Sequence, residues 1–348
     1  MINIIKNFNN ANWFINHLYA YKTLWVRKRL LQKGEPVLFN AELFFDTACN
    51  FQCKHCSIAG FQSQPDSKKS MSFNEIVRVA DELKTMHCFL CCLVGGETTL
   101  RHDIYDIVSV FNSRQILPTI ITNGYTLNIE AITKLKKAGV FNIGVSLNGA
   151  SSCVHDSFVN KEGSFKRALT ALDLIRKANI CTSIAVVPTH ENLKNGEYNQ
   201  IIQYAQQNKI RINVNYPTLT GKYTGNYNEL LTHEEILQAR EYFKLPNVTS
   251  DFTVLADKYE CPAGRKKIYV LPDGNVCPCT FIHISFGNIL KEPFKEIMPR
   301  IWNTKIFMSR SKVCLVGESV NFVKKYMEPV FNCPKLPLYY LDHPEFKR

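Results

Sequence analysis

The 348-residue chain has no apolar run approaching the ~18 residues that a membrane-spanning helix needs. Its opening residues, Met1-Ile2-Asn3-Ile4-Ile5-Lys6, form no apolar stretch closed by a small-residue cleavage site. A secretory signal is therefore not expected, and a cytoplasmic location is. No phosphate-cradling GxxxxGK[ST] loop, HExxH pair or Ser/His/Asp order occurs, which leaves nucleotide-triphosphate, zinc-peptidase and triad chemistry without support. Internal repeats and low-complexity tracts are missing too. Acidic residues are the scarcer charge, 30 against 42 basic, for a net charge of +12. The basic residues are scattered and accompany no RNA-binding motif, so no nucleic-acid partner is expected.

Cysteine, by contrast, is abundant: there are 13. A disulfide framework belongs to small secreted domains, and an odd count cannot pair completely. In a chain of this length and compartment the thiols point to metal binding or catalysis. The 45% hydrophobic content suits a globular protein with one large domain and a smaller one.

Three of the cysteines stand close together in Cys49-Asn50-Phe51-Gln52-Cys53-Lys54-His55-Cys56, directly after the apolar run Leu43-Phe44-Phe45. Three thiols on one loop can converge on one centre, and soft thiolates favour zinc or an iron–sulfur cluster. The set leaves one coordination position unfilled. From spacing alone, a Cys3His zinc site using His55, or three unrelated cysteines, stay open. Against zinc, its ligands usually come as two separated pairs, and His55 adjoins Cys56.

This stretch resembles the cluster loop of the radical S-adenosylmethionine (SAM) superfamily. The resemblance implies that Cys49, Cys53 and Cys56 hold a [4Fe–4S] cluster whose fourth iron binds the amino and carboxylate groups of the cofactor. It also implies that His55, in a place usually aromatic, lies against the adenine. The likeness runs from Ala41 to about Pro217.

Alternating strand and helix patterns fill that span. A strand is expected at Val37–Phe45, then a helix at Ser72–Met86 opened by a Ser72/Glu75 capping box. Further strands are expected at Cys88–Val94, Ile116–Ile121, Asn142–Leu147, Thr182–Val187 and Arg211–Asn215. Helical patterns at His102–Asn112, Ile129–Ala138, Phe165–Ala178 and Asn199–Gln207 separate them. Such alternation implies parallel strands with helices outside, because each parallel crossover needs a helix-length connection. The expected fold is α/β, a partial (β/α)6 TIM-like barrel with a small C-terminal α+β auxiliary iron–sulfur domain. Reactive groups should gather at the C-terminal ends of the strands.

The expected organisation is a basic amphipathic helical segment at 1–36, the barrel at 37–217, a polar bridging region at 218–256 and the auxiliary domain at 257–348. In the first segment Phe14, Leu18, Tyr21 and Trp25 recur at helical spacing among basic residues. Packing against the main domain is the plainer expectation for it, and peripheral membrane contact the other.

Gly95-Gly96-Glu97 follows the second strand. Glycines there let a ligand approach the backbone, and a carboxylate beside them can accept from an ammonium. The tripeptide resembles the superfamily's motif for the methionyl amino group, with Thr98 where Pro is often found. Thr122-Asn123-Gly124 and Ser146-Leu147-Asn148-Gly149 end the next two strands. Their polar side chains suit ribose hydroxyls or the cofactor carboxylate, although Asn-Gly is also ordinary turn chemistry. The second of these resembles a Ser-Leu-Asp-Gly pattern, with Asn148 replacing Asp. Val187-Pro188 resembles the segment packed near adenine.

The C-terminal third holds Cys261, Cys277, Cys279, Cys314 and Cys333. Cys261-x12-Gly274-x4-Cys279, followed by Phe286-Gly287-Asn288-Ile289, is similar to the auxiliary-cluster domain called SPASM, or its shortened twitch form. The Pro272-Asp273-Gly274 turn should bring Cys261 and Cys279 together. Cys277 and Cys279 are not both expected to bind one metal, and Cys279 is preferred because it keeps the family spacing from Gly274. One auxiliary cluster is expected, on Cys261, Cys279, Cys314 and Cys333; buried structural cysteines are the alternative. Of the adjacent Cys91 and Cys92, one should face inward. A small core residue is the ordinary reading of such a thiol, and hydrogen-atom donation the sharper one.

The resemblance implies reductive cleavage of SAM to a 5′-deoxyadenosyl radical that abstracts a hydrogen atom from the substrate. An electron donor such as flavodoxin or ferredoxin is implied with it. A peptide or protein substrate is expected first, because the auxiliary-domain subclass is rich in maturases. A small metabolite or lipid is the alternative within enzymes, and a non-catalytic iron–sulfur scaffold the alternative outside them.

Overall fold

The computed structural model describes residues 25–26, 28–30, 32–33, 38–64, 69–250, 260–331 and 333–346. Most of the expected N-terminal amphipathic helix lies outside these residues, as does the expected boundary near 257. Among the described residues no helix is long and apolar enough to cross a membrane.

Six strands build the partial barrel: β1 (Asn40–Phe44), β2 (Leu90–Val94), β3 (Leu117–Thr122), β4 (Asn142–Ser146), β5 (Cys181–Val186) and β6 (Arg211–Val214). They pair in sequence order and all run parallel. Each crossover carries a helix whose ends are written locally. Ser72 caps Phe73–Thr85 through a reciprocal capping box with Glu75. Asn128 caps Ile129–Ala138, which Gly139 ends in the left-handed conformation that a side chain would strain.

The sheet extends beyond the six expected strands at both edges. β7 (Val248–Ser250) adds to β6 in parallel. On the other side β8 (Lys267–Val270) inserts in parallel beside β1, and β9 (Val276–Cys277) folds back antiparallel on β8. The C-terminal third is thus hydrogen-bonded into the barrel sheet rather than appended to it. The N–H of Phe294 adds to this union by donating to the Glu82 carboxylate at 3.0 Å. β10 (Ile284–Ser285) and β11 (Leu338–Tyr339) form a separate short pair.

Alternation along the strands sorts the two faces. Ala41, Leu43, Cys91, Leu93, Ile120, Ile143, Val145, Ile184, Val186 and Ile212 point outward and are buried beneath the helices. Burying each large aliphatic side chain there contributes about 1.5–3 kcal/mol. The intervening residues point inward, and many are polar: Asn40, Glu42, Thr119, Asn142, Ser183, Arg211 and Asn213. Several are only half-buried, so the sheet wraps an open, polar hollow instead of a filled core. Cys91 takes the outer face and Cys92 the inner one.

Candidate active site

The loop bearing Cys49, Cys53 and Cys56 leaves the C-terminal end of β1 and is held from three sides. From β2, Gly96 and Glu97 donate their N–H groups to the carbonyls of Asp46 and Ala48, at 2.9 and 2.7 Å. A Cβ on Gly95 would stand 2.5 Å from the Asp46 carbonyl oxygen, and one on Gly96 would collide with that of Ala48. Without side chains at these two positions the cluster-loop backbone can approach this closely.

From β4, the helix Ser152–Val159 lies over the loop. Lys54 donates its N–H to the Phe158 carbonyl at 2.9 Å and its ammonium to Ser157 Oγ at 3.1 Å. From β6, the turn at Gly221-Lys222 closes the third side. Lys222 donates its N–H to the Cys56 carbonyl at 3.1 Å and its ammonium to the Gln52 carbonyl at 3.0 Å. Residues 221–222 stand in the span read from sequence as bridging, so this contact was missed. Gly221, in its left-handed conformation, was the available signal.

Burial is the largest influence on all three thiols, raising Cys53 to about 12 and Cys49 and Cys56 above their ordinary value. Cys53 also feels both Cys56 and Cys49, which places the three sulfurs within electrostatic reach of one another. Lys222 opposes the rise at Cys53 and Cys56. Cys49 keeps an exposed edge. Such thiols stay protonated alone and release protons on taking a metal.

Among the described residues no three His, Cys, Asp or Glu side chains are gathered tightly enough for a single metal ion. A zinc ion with Zn–S bonds of about 2.3 Å would demand that gathering. A cluster, whose cysteines bind different irons, accepts a wider set. Soft donors within electrostatic reach of one another fit an iron–sulfur cluster.

His55 is half-buried, its imidazole lowered to about 4 by desolvation and therefore neutral at physiological pH. Its ring stacks on Phe158 at 4.7 Å between centroids, and its Nδ1 finds no partner. One face is thus already covered by an aromatic partner that the sequence did not disclose.

Glu97, 3% exposed, joins the ends of β2 and β3. Its Oε1 accepts from Thr122 Oγ1 at 2.6 Å, the Thr99 N–H at 3.0 Å and Thr99 Oγ1 at 2.5 Å. Its Oε2 accepts from the Asn123 N–H at 2.7 Å. Asn123 in turn donates through Nδ2 to Asn50 Oδ1 in the cluster loop, at 2.8 Å. Glu97, Thr122 and Asn123 are therefore brought together with the cysteines, while four internal donors occupy the carboxylate. Asn50 is a functional candidate that lay unremarked inside the motif.

Ser146 ends β4, half-buried, at the same rim. Asn148 and Val187 are tied to each other: the Val187 N–H donates to Asn148 Oδ1 at 3.0 Å. The Asn148 N–H donates to His155 Nδ1 at 3.1 Å. The carboxamide oxygen holds two strand ends together and so already has a partner.

In the C-terminal part, Cys261, Cys279 and Cys314 line one cavity with Tyr216, Phe281 and Ile282. Burial raises the Cys314 thiol well above its ordinary value, with Cys261 and Cys279 adding to the rise. Cys277 turns away, fully buried against Phe44 and Tyr269. Cys333 is not brought to the group. Its thiol donates to the Pro329 carbonyl at 3.2 Å, and burial alone shifts it. The expected set of four cysteines is a set of three here. The donor set again suits a cluster, and the Cys314 N–H is fixed by Glu318 at 2.5 Å, itself paired to Arg240 at 2.7 Å.

Comparison with known proteins agrees with this geometry. The family model described as Radical SAM superfamily matches residues 44–198, and that described as an iron–sulfur cluster-binding domain, SPASM, matches 261–328. The AdoMet-dependent heme synthase of Methanosarcina barkeri is 27% identical over 280 residues, 72% of this chain and 78% of that one. The mycofactocin maturase MftC of Mycobacterium ulcerans is 27% identical over 288 residues, 76% of each chain. In fold, SuiB of Streptococcus suis bound to its precursor peptide SuiA superposes with a TM-score of 0.63 at 16% identity, covering 82% of this chain and 69% of that one. The anSMEcpe structure with bound AdoMet gives 0.61 at 15% identity, covering 84% and 93%. When bound, the [4Fe–4S] cluster and SAM supply a 5′-deoxyadenosyl radical for hydrogen abstraction. The chain belongs to the radical SAM superfamily and is a radical SAM enzyme with a SPASM-type auxiliary iron–sulfur domain.

Proposed function

We propose that this enzyme modifies a peptide, abstracting a hydrogen atom from a residue presented inside the barrel. The observation that carries the reading is the open inner face of the sheet, polar and half-buried below the cluster loop. A hydrophilic chain segment can enter such a hollow with its amides hydrogen-bonded. The mycofactocin maturase relative, matched over 76% of this chain, supports it.

In this reading Cys49, Cys53 and Cys56 ligate the SAM-binding cluster. His55, Gly95, Gly96, Glu97, Thr122, Asn123, Ser146, Asn148 and Val187 form its surroundings. The contacts of Glu97 and Asn148 make them positioning residues, which fix the strand ends that face the cofactor. Cys261, Cys279 and Cys314 hold the auxiliary cluster. The barrel occupies 37–217 and the auxiliary domain 257–348. Electrons come from a flavodoxin or ferredoxin, acidic proteins suited to a chain of charge +12. The location is cytoplasmic.

The heme synthase relative supports a second reading, a tetrapyrrole substrate. A flat macrocycle needs a wide apolar slot, and the inner face supplies polar side chains instead.

The test is anaerobic. The enzyme is reconstituted with iron and sulfide, reduced with dithionite and given SAM with either a synthetic peptide library or an iron tetrapyrrole. A peptide mass change that accompanies 5′-deoxyadenosine and disappears in Cys53→Ala supports the proposal. A tetrapyrrole product with unmodified peptides overturns it.

A further inference from the structure

One row of inward-facing side chains crosses the sheet from β8 to β6. Lys267 on β8 pairs with Glu42 on β1 at 2.8 Å. Glu42 stands in register with Cys92, Cys92 with Thr119, and Thr119 with Asn142. Asn142 donates through Nδ2 to Ser183 Oγ at 3.1 Å, and Ser183 stands in register with Arg211. The row lies below the rim that carries Glu97, Asn123 and the cysteines, and none of its members belongs to that network.

Four polar atoms on this face are buried with no hydrogen-bond partner: Asn40 Oδ1, Thr119 Oγ1, Asn142 Oδ1 and Asn213 Oδ1. Thr119 is 6% exposed and Asn142 9%. Buried polar groups are nearly always paired, because water lost on folding must be replaced by another partner. Four exceptions on one wall of one hollow mark a place where the partner comes from outside the chain.

The chemistry of the row restricts what that partner is. Three of the four atoms are carboxamide oxygens, which accept, so the guest must donate. Lys267 and Arg211 outnumber the one carboxylate of the row, Glu42, and an excess of positive charge disfavours a cationic donor. An anion offers oxygens to oxygens. What remains is a neutral donor, an amide or a hydroxyl.

We propose that this row is the floor of the substrate site, a subsite for a neutral hydrogen-bond-donating group held beneath the reacting carbon. On the peptide reading given above, on which this part rests, the group is an amide. Thr119 and Asn142 are the positioning residues at its centre.

Thr119→Val and Asn142→Leu remove the unpaired oxygens of the two most buried of these side chains. Iron content and visible absorbance establish that each variant is cluster-loaded. Melting temperature is then measured for the holoenzyme with SAM, alone and with each of three probes: N-acetylasparagine methylamide, its aspartate counterpart and glucose. Without a probe Thr119→Val should melt higher, by about 2–4 °C, since an unpaired buried polar atom has been replaced by an apolar one. Asn142→Leu also loses the Nδ2 bond to Ser183 and is read only through its response to the probes. The asparagine probe should raise the wild-type midpoint and leave both variants unmoved, and the aspartate probe should do nothing.

An equal response of wild type and variants overturns the proposal, and so does a wild type that answers none of the probes. A fall in the Thr119→Val midpoint also overturns it, being the mark of structural water held between these side chains. Stabilisation by glucose alone, lost in both variants, keeps the subsite and sinks the peptide reading.

Discussion

Gly221 presses its α-carbon against the carbonyl oxygen of Cys56, so closely that a side chain there would collide with it. The contact joins the turn after β6 to the last cysteine of the cluster loop and closes the ring of supports around it. Gly225, four residues on, shares the left-handed conformation but faces open space.

That pair makes a controlled experiment. Gly225→Ala pays only for its backbone conformation, on the order of 1 kcal/mol. Gly221→Ala adds a clash with backbone that cannot rotate away. It should lower the melting temperature further and reduce iron bound at the SAM site, read by iron analysis and electron paramagnetic resonance of the reduced protein. Equal iron in the two variants contradicts this role.

Glu97→Gln keeps the shape of the carboxylate and replaces one acceptor oxygen with an NH2 group facing an N–H donor. With Thr99, Thr122 and Asn123 all donating to that carboxylate, at least one buried bond is lost. Destabilisation of about 1–3 kcal/mol is expected by denaturant titration. SAM cleavage should fall with it, because the β3 end that carries Asn123 loses its anchor.

Arg101 and Asp103 predict an acid limit. Arg101 grips Asp103 through Nε at 2.7 Å and through the second fork nitrogen at 2.6 Å, while donating to the Met71 carbonyl at 2.6 Å. The hydrogen bond from Arg101 is the largest cause holding Asp103 below the usual value of 3.8. A carboxyl depressed in the folded state stabilises it fully above the unfolded value and loses that contribution as pH falls through the folded one. Wild type should therefore exceed Asp103→Asn in stability by a constant margin above about pH 4, with the margin shrinking below it. A margin that grows on acidification contradicts the assignment.

Iron stoichiometry separates the C-terminal cysteines. Cys279→Ser and Cys314→Ser should each lower bound iron, because both thiols face the same cavity as Cys261. Cys333→Ser should leave iron unchanged. Cys277→Ser should keep its iron but melt lower, since a hydroxyl would be buried among Phe44, Tyr269 and Leu271. Retained iron in Cys314→Ser would remove it from the ligand set.

The sequence by itself determined whatever depends on neighbours a few residues apart. The C-x3-C-x2-C spacing, the Ser72/Glu75 capping box and the Gly139 stop are local, and so is the strand–helix alternation that makes β1 to β6 parallel. Membership of the superfamily was legible there for the same reason.

Only the tertiary structure decided how distant segments meet. It inserted β8 beside β1, placed Gly221 on Cys56 and Phe158 on His55, and turned Cys279 toward Cys314 while leaving Cys333 apart. It also set Gly95 and Gly96 against the loop backbone at 46–48. Spacing along a chain fixes which face a side chain takes relative to its neighbours, but not which remote surface that face will meet. That choice belongs to the packing of the whole sheet, where register sets the polar row of the inner face.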